Sequence, residues 1–187
     1  MTSQTLPSTA IETINQLAVE ATLELFDSFA LPIAHTSSWA IPDFNAADEE
    51  LVIASVGYTA VGLRGSLVMA VKATEVTAWE QVLLGRSGDA VLCDTVAEFT
   101  NMLVGRLKNK LIPRGVVLSF AIPTSSIGSR LRLFGLHAAA SCWLRFDGDD
   151  RAVHVRVDTT VDDGFAMTEP SASDDAAPAA EGEMLFF

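Results

Sequence analysis

The chain is short of the residues from which self-sufficient catalytic centres are usually built. Its 187 residues include only three histidines and two cysteines. His35, His137 and His154 stand apart from one another, and none lies at metal-ligand spacing from Cys93 or Cys142, which disfavours a metal site of the chain's own. The two cysteines are far apart and each sits among apolar neighbours, so both read as buried reduced thiols. There is no G-x-S-x-G turn, no glycine-rich phosphate cradle and no constellation of Ser or Cys with His, and this disfavours autonomous covalent catalysis. Positive charge is scarce as well: 12 Lys and Arg face 24 Asp and Glu, a formal charge of −12 with a pI of about 4.5. Nucleic acid and anionic lipid are held through clustered basic residues, so neither fits. No apolar run reaches the roughly 18 residues of a membrane span, and the first residues lack the basic and apolar regions of a signal peptide. A cytoplasmic protein without membrane insertion is expected.

What is present is core. With 49% hydrophobic residues the chain can build one ordinary domain, and it is too short for two. That domain is expected over residues 8–165. Residues 166–187 read as an acidic tail rich in Ala, Pro and Ser with little to bury, closed by the apolar tip Met184-Leu185-Phe186-Phe187. Such a tip has the form of a docking peptide, or else tucks into a groove of its own domain or a twin subunit.

Apolar residues recur at helical spacing from Ile11 to Phe29, and Pro32, Pro42 and the polar residues after them mark a connection. Two short apolar or β-branched runs, 51–60 and 64–72, joined through Val61-Gly62-Leu63, predict an antiparallel hairpin. Thr74 is placed as the cap of a second helix ending at Gly85. Gly88-Asp89 opens a third helix, which runs to about Leu111 and stops before Pro113. Strands are expected over 115–122, 130–147 and 151–161, with a turn at 147–150 whose spacing does not fit a calcium loop. This order predicts an α+β fold, helices packed on an antiparallel sheet.

The third helix carries the most information. At about 100° per residue, Asp94, Glu98, Asn101 and Gly105 fall within an arc of about 60°, while Leu92, Val96, Phe99, Leu103 and Leu107 gather on the opposite side. The helix would bury the second face and offer the first. A glycine in the polar stripe leaves room for another backbone to approach, so the stripe reads as a docking surface rather than a pocket. A carboxamide can hold a water by donating to it and accepting from it, which suits in-line attack on phosphorus, where positioning counts for more than base strength. Glu98, one turn earlier, could pair with a lysine on a partner.

The string Asp94-x-x-x-Glu98-x-x-Asn101, followed by Gly105 and by Pro123, resembles the signature of the CheC, CheX and FliY chemotaxis phosphatases, and is most like CheX. The order of elements is similar over about residues 10 to 161. The resemblance implies a phosphatase that hydrolyses the aspartyl phosphate of a CheY-like response regulator. By it, Asn101 would position the hydrolytic water, Glu98 would contact the receiver's lysine, and Asp94 and Gly105 would support them. The chain would need no cofactor of its own, Mg²⁺ being held by the phosphorylated receiver, and a homodimer is implied too. Ser8-x-x-x-Glu12-x-x-Asn15 fits the same short pattern, and two-site members of the family carry such a copy. Glu12 and Asn15 are therefore candidates for a second site, although they lie at the expected start of their helix and lack a proline at the matching distance. The competing expectation is a non-catalytic CheX-like adaptor that binds a receiver or a flagellar switch component.

Overall fold

The computed structural model describes residues 7–38, 49–83, 88–131, 140–149 and 151–169. Its elements are α1 (Pro7–Ser28), β1 (Ala34–Ser38), β2 (Leu51–Ala60), β3 (Leu63–Lys72), α2 (Ala73–Leu83), α3 (Asp89–Leu111), a 3₁₀ turn (Ile112–Arg114), β4 (Ser119–Phe120), β5 (Thr124–Gly128), β6 (Ala140–Gly148) and β7 (Arg151–Val161). The strands form one antiparallel sheet in the order β1-β6-β7-β3-β2-β4, with β5 also paired to β2. The architecture is α+β, as the order of elements implies.

Register explains why the helices collect on one face. Residues directly opposite in an antiparallel ladder point to the same side, and Ala54, Met69, Val155 and Leu144 form one such row across β2, β3, β7 and β6. Val52, Val71, Val153 and Phe146 form the next, and all eight side chains are buried. This apolar face takes the inner sides of the helices, with α3 lying over β2 and β3 and α1 packing against α3 and β7.

Gly65 shows how tight the centre of the sheet is. It stands opposite Tyr58, whose ring fills the space that a side chain at 65 would need; an added Cβ would collide with the ring and with the carbonyl oxygen of Asp158. The phenol donates to that same carbonyl at 3.0 Å and lies 3.0 Å from the hydroxyl of Thr159. Burial pushes the Tyr58 hydroxyl up to about 12.

The other face of the sheet is polar at its centre. Arg156 and Asp158 are buried there, bonded at 2.9 Å. The Asp158 carboxylate also accepts from the hydroxyls of Ser66 and Ser141, and the Arg156 guanidinium lies over Trp143. Hydrogen bonds of this kind offset the cost of burying the charges. Nearby, burial pushes the His154 imidazole down to about 4 from the usual 6.5, with Arg145 and Lys72 acting in the same direction and Asp147 against it. Folding therefore excludes a proton that the unfolded chain takes up below pH 6.5. Stability is expected to fall by about 1–2 kcal/mol as the pH drops from about 6.5 towards 4, the partial exposure of the ring being allowed for. Urea unfolding at pH 7 and pH 4.5 measures the loss, and His154→Gln should remove that part of it.

Several boundaries differ from the sequence expectation. The hairpin turn is two residues, Val61-Gly62, because Leu63 already pairs with Ala60; Gly62 takes φ 72, a conformation glycine tolerates best. Thr74 lies inside α2 rather than at its cap, and Gly85 falls outside the described residues. Pro113 sits within a 3₁₀ turn that continues α3, where its missing N–H costs nothing. Of the expected 115–122 strand only Ser119–Phe120 forms a ladder, with the Ala121 N–H also donating to the Gly57 carbonyl of β2. Two strands stand where none was expected: β1 lies in the supposed connection, and β5 follows Pro123. Part of the 130–147 expectation, residues 132–139, lies outside the described residues. At the far end, Met167 is buried in the core and the Thr168 N–H donates to the Arg114 carbonyl at 3.0 Å, so the described chain packs beyond residue 165. The apolar tip is outside the described residues.

Candidate functional site

The rotation of α3 is set by what it buries. Phe99 packs its ring against Phe26, Phe29 and Trp79 at centroid distances of 5.4, 4.8 and 5.6 Å, tying α3 to α1 and α2. Leu92, Val96, Leu103, Val104, Leu107 and Leu111 are buried along the same side. Polar links close the seam with α1: Lys110 Nζ lies 2.6 Å from Glu24 and 3.6 Å from Glu20, and the Arg106 guanidinium donates to Ser28 Oγ at 3.0 Å. With that side committed to the core, the opposite stripe must face outward.

Asp94 and Glu98 are exposed, and Asn101 and Gly105 are half-buried. Glu98 and Asn101 lie one turn apart on the same face, as their spacing requires. Among the described residues neither side chain has a hydrogen-bond or ion-pair partner, so a carboxylate and a carboxamide stand available to another molecule. Gly105 adds a second feature. A Cβ there would meet no described atom within 4 Å beyond its own helix backbone, so the described fold shows no internal need for glycine at a mid-helix position where it costs about 1 kcal/mol relative to Ala.

The copy on α1 is arranged differently. Glu12 is exposed, but Asn15 is only 9% exposed and its Oδ1 has no hydrogen-bond partner among the described residues. The helix begins at Pro7, so Asn15 lies well inside it rather than at its start, among the buried Ile14, Ala18 and Val19. The structure brings Glu98 and Asn101 together on the surface and separates Glu12 from Asn15.

Two residues beyond the recognised stripe continue it. Lys108 and Ile112 follow Gly105 at helical spacing, and the Lys108 ammonium sits 5.7 Å from the centre of the Phe120 ring. The periodicity that found the first four positions would have found these as well. Among the described residues no group of three or more His, Cys, Asp or Glu could hold a metal ion, and no helix is long and apolar enough to cross a membrane.

No protein-family model matches the sequence, and no curated protein matches it. Solved structures do match the fold. CheX from Vibrio vulnificus superposes with a TM-score of 0.69 at 16% identity, over 79% of this chain and 99% of that one. A CheC-like chemotactic protein from Shewanella oneidensis gives 0.68 at 19% identity, over 78% and 96%. The CheX–CheY–BeF₃–Mg²⁺ complex from Borrelia burgdorferi gives 0.62 at 15% identity, over 82% and 97%. The fold is thus one that solved CheX, CheC-like and FliY chemotaxis proteins share.

Proposed function

We propose that this protein is a CheX-like phosphatase that hydrolyses the aspartyl phosphate of a CheY-like response regulator and so terminates a chemotaxis or two-component signal. The observation that carries the reading is the outward pair Glu98 and Asn101 on α3, with no partners of their own among the described residues, in a fold shared with a CheX that has been crystallised with CheY. Asn101 would enter the receiver's phosphorylated pocket, its Nδ2 donating to one side of a water and its Oδ1 accepting from it, so that the oxygen is held in line with the phosphorus. Glu98 would pair with a lysine of the receiver and fix the angle of approach. Mg²⁺ would be the receiver's, and the phosphatase would supply no cofactor. A homodimer acting in the cytoplasm completes the proposal.

Support also comes from Gly105. If its purpose is to let the receiver's backbone approach, Gly105→Ala should raise the melting temperature by about 2–4 °C through helix propensity alone and yet weaken turnover of the receiver. A variant that is both more stable and equally active would remove Gly105 from the interface.

The direct test charges several CheY-like receivers with phosphate in the presence of Mg²⁺ and follows release of inorganic phosphate with and without the protein. Acceleration of at least one receiver is expected. If every receiver that binds loses its phosphate at its intrinsic rate, the phosphatase reading falls and the adaptor reading takes its place.

A further inference from the structure

We propose that the stripe on α3 continues into an apolar and basic extension, formed by Lys108, Ile112, Phe120 and Ile122, that docks the same receiver domain beside its phosphorylated pocket and sets the affinity for it. The inference rests on the receiver reading above and adds a second contact to it.

The described residues expose five large apolar side chains; Ile112 (47%) follows α3 directly, Phe120 (39%) meets its Lys108, and Ile122 (88%) comes two residues after Phe120 along the sheet edge. Their placement follows from the fold. Ile112 continues the helix one turn beyond Lys108. Phe120 stands opposite Tyr58 in the ladder and therefore points to the helix side of the sheet, where Lys108 covers its ring. From there the edge of the sheet passes through Ile122 into β5, which also packs against α3. Ile122 lies in the chain between Phe120, which meets Lys108, and β5, which packs against α3. Lys108 and Ile112 thus carry on the helical stripe that holds Glu98 and Asn101, and Phe120 lies under Lys108 beside it.

Size and charge select the occupant. Three side chains expose only a few hundred Å² at most, below the ~800 Å² per partner that a stable dimer requires, so the patch cannot hold a second copy by itself. As the end of a larger surface it is sufficient. The stripe is also polarised: Asp94 and Glu98 stand at one end and Lys108 at the other. A partner must therefore offer a cation near the Glu98 end and an apolar or acidic surface near the other. The proposed receiver, whose lysine would meet Glu98, meets the first requirement, and the second predicts an apolar surface beside its phosphorylated pocket. In this division, Asn101 governs the chemical step and the extension governs docking.

The test uses the full chain, its Ile122→Ser and Lys108→Glu variants, and a CheY-like receiver. Dephosphorylation is measured against receiver concentration, binding is measured separately with the BeF₃-activated receiver, and oligomeric state is recorded for each variant. Ile122 is almost fully exposed, so Ile122→Ser should fold as the parent does. It is expected to raise both KM and Kd about tenfold, the loss of roughly half a buried apolar side chain, with kcat within about twofold. Lys108→Glu should act in the same direction. Unchanged KM and Kd in both variants, with the parent active, would overturn the extension and leave the phosphatase reading intact. Weakened binding in a parent that binds without accelerating hydrolysis would support the extension and reject the phosphatase. A parent that is dimeric and an Ile122→Ser variant that is monomeric with unchanged Kd would assign the patch to a second copy and overturn the proposal.

Discussion

Asn101→Ala is expected to slow receiver dephosphorylation by about 100-fold or more relative to the parent, with the unfolding free energy changed by no more than about 0.5 kcal/mol. The two halves of this expectation have different causes. The carboxamide has no partner within the described residues, so its removal breaks no bond of the fold. Its proposed contribution appears only when a phosphorylated receiver is present, in the positioning of one water. Asn101→Asp sharpens the test, because it keeps the size of the side chain while replacing the donor with a negative charge beside the phosphoryl group. It should be as slow as Asn101→Ala. Glu98→Ala should act mainly on KM, since an ion pair with the receiver is made in the bound state as well as in the transition state. Turnover by Asn101→Ala at the parent's rate would exclude this residue from the reaction.

Gly65→Ala is expected to destabilise the fold by about 3 kcal/mol or more, from the addition of one methyl group. The methyl would be driven into the Asp158 carbonyl and the Tyr58 ring, and neither can withdraw easily. The carbonyl belongs to the central strand β7, and the ring is held by the bonds of its hydroxyl to the Asp158 carbonyl and Thr159. Urea denaturation read by circular dichroism measures the change. At Gly105, where the added Cβ would meet nothing, the same substitution should have the opposite sign. The two glycines therefore separate a requirement of the sheet from one that the proposed receiver contact would impose. A small loss at Gly65 would mean that β3 and β7 can part without cost.

The elements that were legible in the sequence are those whose local pattern and tertiary role agree. α3 could be read from Asp89 to Leu111 because one long side is apolar and the ends carry recognisable signals. β2 and β7 could be read because apolar and β-branched runs match strands buried in the middle of a sheet. β1 and β5 could not. Ala34-His-Thr-Ser-Ser and Thr124-Ser-Ser-Ile-Gly have little to bury, and they are strands because β6 and β2 offer them ladder partners. Val116 and Leu118 gave the opposite error: their alternation records burial in the core without a strand of that length.

The two Glu-x-x-Asn pairs mark the same boundary at the level of the site. Spacing by itself determined that each glutamate and asparagine occupy one side of a helix, because helical geometry is local. Only the tertiary structure decided what each side faces. The aromatic packing around Phe99 turns Glu98 and Asn101 outward, whereas α1 carries Asn15 into its packed side. Periodicity fixes angles within a helix, but the rotation of that helix against its neighbours depends on long-range contacts that no short motif contains.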